Sequence, residues 1–102
     1  MKKLGNYTCG KWIEGEGDGQ ILFDAVTGSP LCQAGSAGLD FGEMLRYARQ
    51  TGNPVLRKMS FHERGRMLKA RAPNLQKHAA KFYQISYQTG ATRADSWIDI
   101  EG

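Results

Sequence analysis

No apolar run in the 102 residues approaches 18 in length, so no membrane-spanning helix is expected. No secretory leader is expected either. Met1-Lys2-Lys3-Leu4 brings charge, but Gly5-Asn6-Tyr7-Thr8 follows where an apolar stretch would have to begin. The expectation is a cytoplasmic chain with no membrane contact. Cysteine is scarce: Cys9 and Cys32 are the two present, and they form no Cys-x-x-Cys pair. Two such thiols make no disulfide framework and read as reduced, partly buried side chains. In the cytosol the Asn6-Tyr7-Thr8 sequon carries no meaning. Histidine is equally scarce. His62 and His78 lie sixteen residues apart, and neither has a second histidine or a carboxylate four residues on to complete a metal face. No Cys–His pair, Ser–His–Asp set or pair of catalytic carboxylates can be assembled from so few candidates. No residue is therefore assigned a catalytic, cofactor-binding or metal-ligating role.

Acidic residues are short in one region. Residues 1–40 hold three basic and five acidic side chains, residues 41–89 hold ten and two, and residues 90–102 hold one and three. The net charge of +4 is thus concentrated in a basic central block. Glycine, by contrast, is abundant: most of the 13 glycines precede Gly42. This implies a front of loops and short strands and a denser back. With 40% apolar residues, a modest core for one small domain is possible.

In the front, Tyr7, Cys9 and Trp12-Ile13 suggest one short strand and Gln20-Ile21-Leu22-Phe23 a second. Gly15-Glu16-Gly17-Asp18-Gly19 would join them as a five-residue hairpin loop, because glycine reaches positive φ cheaply. Val26-Thr27-Gly28-Ser29-Pro30 reads as a turn and Leu31-Cys32-Gln33-Ala34 as a third strand. Gly35-Ser36-Ala37-Gly38 closes this β region.

In the back, Asp40 is placed to cap a first helix, with Glu43 three residues on and Met44, Leu45 and Ala48 on one face. Thr51-Gly52-Asn53-Pro54 is expected to stop it. Ser60-Phe61-His62-Glu63 fits a capping box for a second helix. Its apolar positions Leu68, Ala72, Leu75, Ala79 and Phe82 recur at steps of four and three, one continuous stripe. Pro73 interrupts that stripe, and an interior proline costs roughly 3 kcal/mol, so a kink or break is expected there. Gly90 is a good helix stop. Thr92 to Ile100 reads as a third helix. The fold class expected is α/β: a short antiparallel β arm over 1–36, then two to three amphipathic helices over 37–102, the second kinked at Pro73.

Two stretches invite a chemical reading. A phosphate cradle needs a strand before the glycines and a helix N-terminus after them, so that amide dipoles meet the anion. Gly15–Gly19 is followed by another β run, which favours a plain turn. Arg57, Lys58, Arg64, Arg66, Lys69, Arg71, Lys77 and Lys81 punctuate the second helix and its approach. Such a face could bind nucleic acid phosphates or an acidic protein, but it is also what the solvated side of a surface helix looks like. Phe82, Tyr83 and Tyr87 fall on or beside the apolar stripe, away from the basic face, which argues against a nucleic-acid reader. Trp12 and Trp97 read as packing anchors.

Several segments, in this order, resemble aldehyde dehydrogenases. Tyr7-Thr8-Cys9-Gly10-Lys11-Trp12 is similar to their opening strand with its Gly-x-Trp, and Asp24-Ala25-Val26-Thr27-Gly28 to their Thr-Gly turn. Leu56 to Leu68, with Glu63-Arg64 inside it, resembles the start of their second helix, and Gln88-Thr89-Gly90 its close. Ser36-Ala37-Gly38-Leu39-Asp40 and the stretch Gln88 to Gly102 narrow the resemblance. They are similar to the bifunctional ring-cleavage branch of phenylacetic acid degradation, which joins an aldehyde dehydrogenase domain to a hydratase-like oxepin-CoA hydrolase domain. A helix interrupted at Pro73 departs from the family pattern.

The resemblance implies an N-terminal segment of an NADP- or NAD-dependent oxidoreductase acting on a CoA-thioester semialdehyde. In it, 1–36 is the N-terminal β arm and 37–102 the truncated helical start of the dinucleotide-binding domain. The family's catalytic cysteine, general-base glutamate and Gly-rich cofactor turn lie beyond residue 102; Cys9 and Cys32 do not match the nucleophile. The segment would then serve as scaffold and subunit contact and bind no cofactor alone. Its partners would be the rest of its polypeptide and the other subunits of a homo-oligomer, with no nucleic acid. The alternative is a small non-catalytic module whose basic helix binds an acidic protein or nucleic acid.

Overall fold

A computed structural model describes residues 1–102. The chain is mixed α/β, and it divides into two compact units. The first comprises Met1–Phe23 and Ser29–Met59, the second Asp24–Gly28 and Ser60–Gly102.

The first unit carries five strands: β1 (Lys2–Lys3), β2 (Gly5–Thr8), β3 (Lys11–Glu14), β4 (Gln20–Phe23) and β5 (Pro30–Ala34). They form two small sheets, and their pairing differs from the expected hairpin. The expected first strand folds on itself. β2 and β3 pair antiparallel, Tyr7 opposite Trp12 and Thr8 opposite Lys11, around a two-residue turn at Cys9-Gly10. Both turn residues have positive φ, 50° and 79°, as the tight hairpin turns compatible with strand twist require. The Gly15–Gly19 loop therefore joins two different sheets. β4 pairs antiparallel with β5, Ile21 opposite Gln33 and Leu22 opposite Cys32. β5 also pairs on its other side with β1, and that pairing is parallel. The β region is thus not purely antiparallel. Pro30 lacks a donor, and it sits at the first residue of its strand, where a strand tolerates it.

Helix α1 (Phe41–Tyr47) starts at Asp40, whose Oδ1 accepts from the Glu43 amide at 3.0 Å. The reciprocal half of the capping box is absent: the Glu43 carboxylate instead pairs with Arg46 Nη2 at 2.8 Å. The expected stop at Thr51–Pro54 is not a stop. A π-helical turn, Ala48–Gly52, carries the chain into α2 (Asn53–Lys58), with the Asn53 amide reaching five residues back to the Ala48 carbonyl. Pro54 has no amide to give the Gln50 carbonyl. The wider turn just before it accommodates that loss, and Pro54 falls at the start of α2.

The expected second helix is three helices: α3 (Phe61–Lys69), α4 (Arg71–Lys77) and α5 (Ala79–Gln88). Ser60 caps α3, its Oγ accepting from the Glu63 amide at 3.1 Å. The breaks fall at Ala70 and His78, not at Pro73. Pro73 is the third residue of α4, in the first turn, where backbone amides lack intrahelical partners anyway. Breaking the helix three residues earlier removes most of the cost of the proline. At His78 the ring itself competes for the backbone. Its Nδ1–H donates to the Asn74 carbonyl at 3.0 Å, the acceptor a continuing α-helix would offer the His78 amide. That amide turns to Leu75, at 3.2 Å. α6 (Arg93–Ile100) begins at Thr92, and Gly90, at φ 88°, closes α5.

Burial is the second departure. In neither unit is a hydrophobic side chain fully buried. The residues that are buried are Thr8, Gly15 and Ser96. Leu68 and Leu75 of the expected stripe are 59% and 44% exposed, and only Ala79 and Phe82 are half-buried.

Candidate functional site

The residues that sequence reasoning weighed for chemistry are dispersed. In the first unit, Cys9 is half-buried at the β2–β3 turn, a free thiol on the edge of a cleft of about 540 Å³. Lys11, Ile13, Asp40, Glu43 and Tyr47 also line that cleft. The glycine at position 10 matters here. A Cβ on it would stand 3.1 Å from the Tyr47 hydroxyl, which would have to give by a few tenths of an ångström, and the φ of 79° disfavours a side chain in any case. The cleft is lined by one thiol, a lysine, a phenol and two carboxylates, and no histidine. Cys32 lies in the middle strand of its sheet, opposite Leu22 on one side and Lys2 on the other.

Asn6 has a structural task. Its Nδ2 donates to the Gly35 carbonyl at 2.8 Å and more loosely to the Ile13 carbonyl at 3.3 Å. One partly buried amide thereby fastens the β2–β3 hairpin to the segment after β5. The Gly15–Gly19 loop is held in the same way. The Glu16 amide donates to the Ala37 carbonyl at 2.8 Å, and Lys3 Nζ to the Gly17 carbonyl. A strand, not a helix N-terminus, follows Gly19. The residues present do not fit a dinucleotide phosphate, because no run of free helix amides points into this loop.

In the second unit, His62 sits exposed in the first turn of α3, edge-on to Phe61 with ring centroids 5.9 Å apart. His78 is engaged by its own helix, as above. No group of three His, Cys, Asp or Glu side chains stands close enough to hold a metal ion. The cationic side chains are exposed and divided between the units: Arg57 and Lys58 close α2 in the first, while in the second Arg64, Arg66 and Lys69 lie on α3, Arg71 and Lys77 on α4, and Lys81 on α5.

The most ordered chemistry of this unit is a corner that sequence reasoning did not assemble. Asp24 Oδ1 accepts from the Val26 and Thr27 amides at 2.8 and 3.0 Å, making a tight turn closed by Gly28 at φ 76°. These amides, Thr27 first, stabilise the carboxylate and hold the Asp24 carboxyl below its ordinary value. The Ala25 amide then donates to the Gln88 carbonyl at 2.9 Å. A Cβ on Gly90 would meet Ala25 Cβ at 3.4 Å. Two segments that carry the family resemblance, Asp24–Gly28 and Gln88–Gly90, therefore touch each other.

Beside this corner α5 and α6 are registered by polar contacts. Ser96 is fully buried, and its hydroxyl lies 2.8 Å from that of Ser86. The Tyr83 hydroxyl donates to the Glu101 carboxylate, which pushes the phenol up to about 12. Trp97, expected as a packing anchor, is 55% exposed, and Trp12 is 73% exposed with Tyr7 at 5.2 Å as its ring neighbour. These contacts hold elements in register. None of them pairs a nucleophile with a base.

No family model matches the chain. Over 101 residues, 98% of its length, it is 41% identical to the 3,4-dehydroadipyl-CoA semialdehyde dehydrogenase of Aromatoleum evansii. The matched stretch is 20% of that enzyme, so the chain spans about a fifth of the length of the curated relative it matches.

Proposed function

We propose that this chain is the N-terminal segment of an aldehyde dehydrogenase-type enzyme that oxidises a CoA-thioester semialdehyde. The observation that carries the reading is the 41% identity, sustained over nearly the whole chain, to a dehydrogenase whose name states that substrate. The finer assignment, to the ring-cleavage branch of phenylacetate catabolism with its fused hydrolase domain, rests on the resemblance of Ser36–Asp40 and of the stretch from Gln88 to Gly102. In this reading the enzyme is cytoplasmic and homo-oligomeric, with NADP or NAD as hydride acceptor. The reaction takes an aldehyde and water to a carboxylate, with hydride leaving to the nicotinamide. Residues 1–36 are the β arm and 37–102 the helical start of the dinucleotide-binding domain.

This segment's own part is scaffold and subunit contact. What supports that role is exposure. Burying a leucine, phenylalanine or similar side chain stabilises a fold by about 1.5–3 kcal/mol, while ordering each residue's backbone costs about 1–2 kcal/mol. With no hydrophobic side chain fully buried, most of that gain awaits a covering surface. The rest of the polypeptide and neighbouring subunits supply it in this reading. The test is an assay with two proteins, the 102-residue chain and the product of the reading frame extended past Gly102. Each is given a CoA semialdehyde with NADP or NAD. The extended product should form reduced nicotinamide and the 102-residue chain should not. Turnover by the short chain, or none by either protein, would contradict the reading. Binding of the short chain to a polyanion with a steep salt dependence would favour the basic-helix alternative.

A further inference from the structure

We draw no further inference here: the strongest candidate, the exposed apolar side chains of Ile85 on α5 and of Trp97 and Ile98 on α6, carries nothing because nothing in the structure shows what covers them.

Discussion

Cys9 is the one non-glycine residue with positive φ. A left-handed conformation costs an L-residue with a Cβ roughly 1–2 kcal/mol, and asparagine tolerates it better in this kind of turn. Cys9→Asn should therefore tighten the β2–β3 hairpin by about 0.5–1 kcal/mol, still within that cost. Slower exchange of the Thr8 and Lys11 amides would register the gain, and faster exchange would show that the thiol holds the turn in some other way. The same residue explains why the hairpin was illegible. Cys-Gly is not the Asn-Gly or Asp-Gly signal that marks such turns, whereas the five-residue Gly15–Gly19 loop, with three glycines, carries the stronger turn signal. Tyr83 offers a pH test. Its folded pKa of about 12 lies above the ordinary 10.0 because the neutral phenol donates a hydrogen bond to the Glu101 carboxylate. A raised pKa means stability that is complete below pH 10 and lost as pH rises through 12. Ultraviolet titration should show one phenol ionising last, with the α5–α6 pairing weakening over that window. Tyr83→Phe should abolish the late step; its persistence would assign it to another tyrosine.

At the scale of elements, the termini were easier to read than the pairings. Asp40, Ser60 and Gly90 mark helix ends through a local chemistry that needs no tertiary partner. Thr92 does the same for α6: its Oγ1 accepts from the Asp95 amide at 3.2 Å and donates to the Asp95 carboxylate at 2.9 Å. Thr92→Ala should cost α6 about 1 kcal/mol, whereas Thr92→Ser should cost little. Loss of protection at the Asp95 amide would report it, and equal protection in both variants would show that the cap is idle. What the sequence did not disclose were events decided by competition. Pro54 shifts the hydrogen-bond pattern upstream into a π-helical turn instead of ending the helix. Pro73 moves the break to Ala70. His78 breaks a helix because its ring competes for a backbone carbonyl, and no propensity scale contains that contact. The Asp24–Gly28 turn was legible as a turn, but its partner, the Gln88 carbonyl, lies 63 positions beyond Ala25 and could not be read from spacing.

At the scale of the whole molecule, periodicity identified apolar positions that the chain does not bury. The apolar positions expected as one stripe, Leu68 to Phe82, are divided among α3, α4 and α5, and most of them, like Trp12 and Trp97, remain open to solvent. A sequence records which faces are meant to be covered, but not by what. If the cover is the rest of a longer enzyme, the 102-residue chain alone should give no sharp cooperative heat-absorption peak, and it should bind a hydrophobic dye. A monomer that melts in one narrow transition without binding dye would mean the chain is self-sufficient. Cys9, Cys32, His62 and His78 stand apart, in a turn, a central strand, a helix start and a helix break. The most direct test of the central claim is to read the DNA downstream of the Gly102 codon. An open frame is expected that continues into a glycine-rich dinucleotide turn, a catalytic cysteine and a base glutamate. A stop codon there, with the 102-residue product accumulating in cells, would contradict it.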